Sequence, residues 1–227
     1  MHPMPSARSN PCCRCTPEVD VGLPANEIGT VELRSCAIAP LLLAASGRLG
    51  RQRQFLRPLK STAAAALTAG LSRAEACIAA LAHPQAALLV PDPMLPQTAA
   101  LQAEPGETTL LGLCTLGYDQ QKAFAWLGRD YMEHHLQTLL ARETLFALGR
   151  EVTAWAASHF PGQRLRRLAL TGAADGDLWD VDRVRGLLAL FGSDALGVTL
   201  TEGGCFSPLH ALLTVIAVRP SGQRPAR

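Results

Sequence analysis

The sequence contains no apolar run long enough to cross a membrane, which takes about 18 consecutive apolar residues. Its longest such run, Ala37–Ala45, is broken by Pro40 and followed by Gly47, Arg48, Gly50 and Arg51. The stretch Met1–Arg14 is polar and rich in Pro and Ser, without the apolar centre of a secretory signal, which points to the cytoplasm. A charge imbalance is also missing: a net charge of +2 does not argue for nucleic acid. Arg164, Arg166 and Arg167, beside a loop, read as a solvated face. The chain has no glycine-rich phosphate loop, no dinucleotide fingerprint and no paired CxxC motif. It has no Gly-x-Ser-x-Gly elbow either, and Ser207 is followed by Pro208.

The seven cysteines are an odd number, which does not suit a secreted disulfide framework, and reduced thiols are expected. Cys36, Cys77, Cys114 and Cys205 sit in apolar or helical surroundings, as small buried residues would. Cys12, Cys13 and Cys15 cluster near the start, but no second pair follows to complete a four-ligand zinc site. A thiol-bearing tail is the better reading.

Apolar residues make up 48% of the 227 and charged ones 18%, enough for one sizeable core and short for two. Residues 1–26 hold five Pro and no periodicity, so the expected layout is a disordered tail, a single domain over 27–219 and a frayed basic tail over 220–227. From Val31 to about Leu49 a strand and then a helix are expected. Ser61 opens an Ala-rich helix that Gly70 is expected to close, and Ser72 with Glu75 forms a capping box for a second helix to about Ala82. Ala86–Val90 suits a buried strand, and Thr108–Leu116 another, ending at Gly117.

Helix follows from about Gln120 to His159, interrupted near Gly128, with Leu136, Leu139, Leu140, Leu145, Leu148, Val152 and Trp155 on one face. Leu165–Thr171 reads as a strand entering the loop Gly172–Trp179, and Asp180 caps a helix that Gly192 closes. Two final strands, Gly197–Thr201 and about Ala211–Val218, flank the turn Glu202–Pro208. So short a connection requires antiparallel pairing. The fold class expected is therefore α+β, a mixed, mainly antiparallel sheet with flanking helices.

Few residues carry obvious chemistry. His134 and His135 are adjacent on a helix, so they point about 100° apart and cannot chelate as an i, i+4 pair could. His210 reads as a surface or packed histidine. Asp175 and Asp177 offer too few oxygens for a calcium cage and read as a turn. The most unusual stretch is Thr201-Glu202-Gly203-Gly204-Cys205. Its glycines allow close backbone approach to a ligand, or simply a hairpin turn, and Glu202 could accept hydrogen bonds from a ribose or an amino group. Cys205 beside it could act as a thiol nucleophile or be buried as a small hydrophobe.

Three segments, taken in order, resemble the activation domain of cobalamin-dependent methionine synthases and its short stand-alone relatives. Leu111–Gly117, with Asp130-Tyr131 and the helix around Glu143–Trp155, is similar to the family's strand end and long helix. Leu170-Thr171-Gly172, leading to Asp180, resembles its Pro-Gly-Tyr loop. Gly197–Glu202 with Phe206-Ser207-Pro208 and the strand 211–218 resembles its Thr-Glu-Ser hairpin. The likeness covers about 70–218 and is strongest over 110–218.

The resemblance implies a curved antiparallel sheet that binds S-adenosylmethionine, with Gly172, Thr201, Glu202 and Glu151 near the cofactor. It implies an accessory role in methionine biosynthesis: reductive methylation of a corrinoid after flavodoxin has reduced it. The family's Asp-x-His-x-x-Gly corrinoid motif and its homocysteine-activating zinc site are missing, so cobalamin would come only through a partner, a corrinoid-binding protein or methyltransferase subunit. This sequence departs from the family motif for S-adenosylmethionine: Leu168 stands at the Arg position, Thr171 at the Pro and Ala173 at the Tyr, and Gly172 is kept. The hairpin departs too, with Gly203 at the Ser position and Phe206 at the Met. The alternative reading is a non-catalytic binding or scaffold module that kept the fold and lost the methyl donor.

Overall fold

A computed structural model describes residues 29–52, 61–99, 101, 104, 106–168, 180–192 and 195–219. In chain order the elements are β1 (Val31–Ser35), α1 (Ile38–Gln52), α2 (Ser61–Leu81), β2 (Gln85–Leu89) and α3 (Pro96–Ala99). There follow β3 (Thr108–Thr115), α4 (Gln120–Leu127), α5 (Tyr131–His159), β4 (Arg164–Leu168) and α6 (Val181–Ala189). A short 3-10 turn (Ala195–Gly197), β5 (Thr199–Leu200), β6 (Phe206–Ser207) and β7 (Ala211–Arg219) complete the described chain.

β1, β2, β3, β7 and β4 form one five-stranded sheet in that order, and every pairing in it is antiparallel. This is the α+β class that the sequence suggested. The two faces of the sheet are both covered, which is why the central strands are apolar at nearly every position instead of alternating. From β3, Leu110 and Cys114 turn toward α1, α2 and α5, while Leu111 and Leu113 turn toward α6. From β7, Ile216 and Val218 join the first layer and Leu213 and Val215 the second.

The 29-residue helix α5 is the main beam of the first layer. Leu136, Leu140, Leu145, Leu148, Val152 and Trp155 are buried along it as the periodicity required, and Leu139 is half-buried. Asp130 caps it by accepting from the Glu133 N–H, and Gly128 at φ 78° separates it from α4. It lies close to the sheet because small residues face it. A Cβ on Gly112 of β3 would sit 2.7 Å from Val152, and one on Gly149 of α5 would sit 2.9 Å from Leu212 of β7. Asp180 caps α6 through the Arg183 N–H, as expected.

Two expectations are corrected. Gly70 does not end a helix: α2 runs unbroken through it, and the Ser72 hydroxyl donates to the Thr68 carbonyl within the helix, with no capping box. The glycine is there for packing, since a Cβ on it would come 2.8 Å from Leu136 of α5. Tertiary contact has overridden a local stop signal. The second correction concerns the last two strands. β5 pairs with β6, Thr199 opposite Ser207 and Leu200 opposite Phe206, and forms a small separate hairpin. The partners of β7 are β3 and β4. A cis Ser207–Pro208 bond leads the chain from that hairpin into β7.

Candidate functional site

The strand that leads toward Gly172 is β4, and it lies directly beside β7, with Leu168 opposite Val215. Residues 169–179, Gly172 among them, fall outside the described residues, as do Asp175 and Asp177. The hairpin before β7 packs on the α6 side of the sheet through Leu200 and Phe206. At its tip the Thr201 N–H donates to the Cys205 carbonyl at 2.9 Å, and the Cys205 N–H donates to the Thr201 hydroxyl at 3.1 Å. Gly204, at φ 78°, lets the chain reverse there. Thr201 therefore shapes the turn, and Glu202 stands exposed at its head.

Leu168 and Arg167 decide what this surface offers. Leu168 packs into the apolar layer with α6, so the position at which the family carries Arg presents no cation there. Arg167 points through the other face of the sheet. It donates to the Gly149 carbonyl at 2.6 Å and to the Thr153 hydroxyl at 2.7 Å, tying β4 to α5. A ligand carboxylate beside Leu168 would gain no bidentate guanidinium pair. Glu202 is thus the exposed acceptor at this surface, and the Leu168 position offers no cation to a ligand carboxylate. Arg166 stays exposed, as the sequence suggested, and pairs with Glu107 at 2.9 Å, a carboxylate that Arg219 also reaches at 2.9 Å. Those guanidiniums hold the Glu107 carboxyl below its usual range, the Arg166 hydrogen bond contributing most.

Glu151 lies elsewhere. It is half-buried on α5, in the layer across the sheet from Thr201 and Glu202, so the expectation of one groove shared by all of these is corrected. It lines a cavity of about 220 Å³ between α5 and β1–β2, with Arg34, Cys36, Ala86, Val152, Ala154, Trp155 and Ser158. The Arg34 guanidinium sits 4.6 Å above the Trp155 ring centre. Nothing in the local sequence around Arg34 signals this stacking, because its partner lies on a distant helix.

The structure also shows a buried polar cluster that sequence reasoning did not assemble. Gln137 donates to the Tyr118 hydroxyl at 2.5 Å, and Gln120 donates to the Gln137 side-chain carbonyl at 2.9 Å. The carbonyl of the Gln120 side chain lies 3.0 Å from His210 Nε2, so that nitrogen carries the proton. Burial pushes His210 down to about 4, and its ring stacks beside Tyr118 with centres 5.3 Å apart. His210 is thus the packed histidine of the two readings. Burial also drives the Cys77 thiol up to about 11 and the Cys114 thiol up to about 12. Cys205, by contrast, is exposed, against the expectation that it would be buried.

Among the described residues no three His, Cys, Asp or Glu side chains converge as a metal site, and Cys12, Cys13 and Cys15 lie outside them. No described helix is long and apolar enough to cross a membrane. No protein-family model matches the chain, and no curated protein matches it.

Proposed function

We propose that this chain is an accessory protein of corrinoid-dependent methyl transfer, related to the reactivation domain of cobalamin-dependent methionine synthase. In this reading it docks on a corrinoid-binding protein and supports reductive methylation of the corrinoid there, with S-adenosylmethionine as methyl donor and flavodoxin as reductant. The observation that carries it is the adjacency of β4, entering Gly172, to β7, preceded by the Thr201–Glu202 hairpin. The adjacency supports the reading, while the closing hairpin of β5 with β7 that the resemblance implied is replaced by β5 folding back on β6. Isothermal titration of the full chain with S-adenosylmethionine tests it: saturable heat that weakens about tenfold in Glu202→Gln supports the reading. No heat at about 1 mM ligand removes the methyl donor from it.

One observation favours a second reading, a non-catalytic binding or scaffold module. Leu168 is packed where the family's Arg would meet the cofactor, and Arg167 is committed to Gly149 and Thr153. On this reading a corrinoid-binding protein is retained by the immobilised chain, while S-adenosylmethionine leaves the melting temperature unchanged. A clear thermal shift with the cofactor counts against it.

A further inference from the structure

The cavity between β1 and α5 lies across the sheet from the hairpin and has its own chemistry. Arg34 and Glu151 both line it; among the described residues neither is hydrogen-bonded or ion-paired, and the Arg150 guanidinium acts on Glu151 through its charge. Glu32, on the same face of β1, has its carboxylate 3.2 Å from His159 Nε2 and makes no ion pair with Arg34. The guanidinium is held over Trp155, which spends its π face and leaves its N–H donors in the plane. Stacking also restricts the long side chain beforehand, so less entropy is lost when an anion arrives. The rest of the lining is Cys36, Ala86, Val152, Ala154, Trp155 and Ser158.

We propose that this cavity binds a small zwitterion, a molecule with a carboxylate for Arg34, an ammonium for Glu151 and a short apolar body against Trp155. A paired arrangement is what a doubly charged ligand needs. A ligand with one charge would leave the other protein charge without a partner, and charge-assisted hydrogen bonds are the strong ones. Size sets the class. At about 220 Å³ the cavity suits a molecule of free-amino-acid size, and it lies across the sheet from the hairpin. The proposal is therefore independent of S-adenosylmethionine at the hairpin.

The test uses the full chain and calorimetric titration with L-leucine, glycine and L-glutamine as zwitterions of three body sizes. The single-charge analogues of leucine, 4-methylpentanoate and 3-methylbutylamine, are titrated beside them. At least one zwitterion is expected to bind, with each analogue of leucine weaker than leucine by about tenfold or more. Arg34→Gln should remove the preference for leucine over 3-methylbutylamine, and Glu151→Gln should remove the preference over 4-methylpentanoate. Both positions are partly exposed, and unchanged circular dichroism confirms folding. Absence of heat with all three amino acids at about 20 mM overturns the proposal, as does binding that is unchanged in both variants. Loss of S-adenosylmethionine binding in Glu202→Gln leaves these outcomes untouched, so the two readings fail separately.

Discussion

Arg167 and Leu168 are neighbours on β4 that serve opposite faces of the sheet: Arg167 donates to the Gly149 carbonyl of α5 at 2.6 Å, and Leu168 packs with α6. Period-two alternation makes this unavoidable once β4 is a strand. The guanidinium one residue away cannot substitute for the one missing at position 168, because it emerges on the wrong side. Its work is structural.

Arg167→Ala should therefore lower stability by about 1 kcal/mol, the net value of the hydrogen bonds tying β4 to α5. Urea denaturation reads the change in midpoint. Calorimetry should show no change in any ligand affinity at the hairpin. A loss of such affinity with unchanged stability would contradict this placement.

The close approach of α5 to the sheet makes a different demand. Gly112→Ala should cost about 1–3 kcal/mol, since the new methyl group meets Val152 at 2.7 Å and the helix must shift. The double substitution Gly112→Ala with Val152→Ala should recover part of that loss by removing the clash. Thermal melts of the three variants separate crowding from backbone effects.

Stability should fall with acid through His210. Its folded value, about 4, lies below the ordinary 6.5, so the unfolded chain binds the proton first. The contribution is complete above pH 6.5 and is lost as pH falls toward 4, up to about 3 kcal/mol in all. Glu107, held below its usual range by Arg166, acts in the same direction but only at lower pH. The slope between pH 6.5 and 4.5 should flatten in His210→Gln, measured by denaturant titration across that range. An unchanged slope would show that His210 takes up its proton as readily in the folded protein as in the unfolded chain.

Thiol labelling distinguishes the cysteines. Cys205 is exposed on the hairpin, and Cys77 and Cys114 are buried with raised values. Iodoacetamide at neutral pH should modify Cys205 well before Cys77 or Cys114, which should react only on unfolding. Peptide mapping by mass spectrometry reads the order. Early labelling of Cys114 would contradict the packing of β3 against α5.

Much of the fold was legible residue by residue. The break at Gly128, the cap at Asp180, the buried stripe of α5 and the apolar strands β2 and β3 all follow from periodicity and capping, which are local properties. Long-range packing explains where that reading failed. Gly70 carried a stop signal, but α2 continues because the missing side chain lets Leu136 in. Glu202 was placed at the head of a turn by the Gly203-Gly204 pair alone, whereas Glu151 was assigned to the same groove with no means of knowing which face of the sheet α5 covers.

By itself the sequence determined where most helices and strands lie, because hydrophobic period and terminal caps are set by neighbours a few residues apart. Only the tertiary structure decided that β5 turns back on β6, that β7 inserts between β3 and β4, and that Arg34 meets Trp155 above a cavity shared with Glu151. These are choices among many apolar surfaces of similar pattern, and they are settled by how whole layers pack.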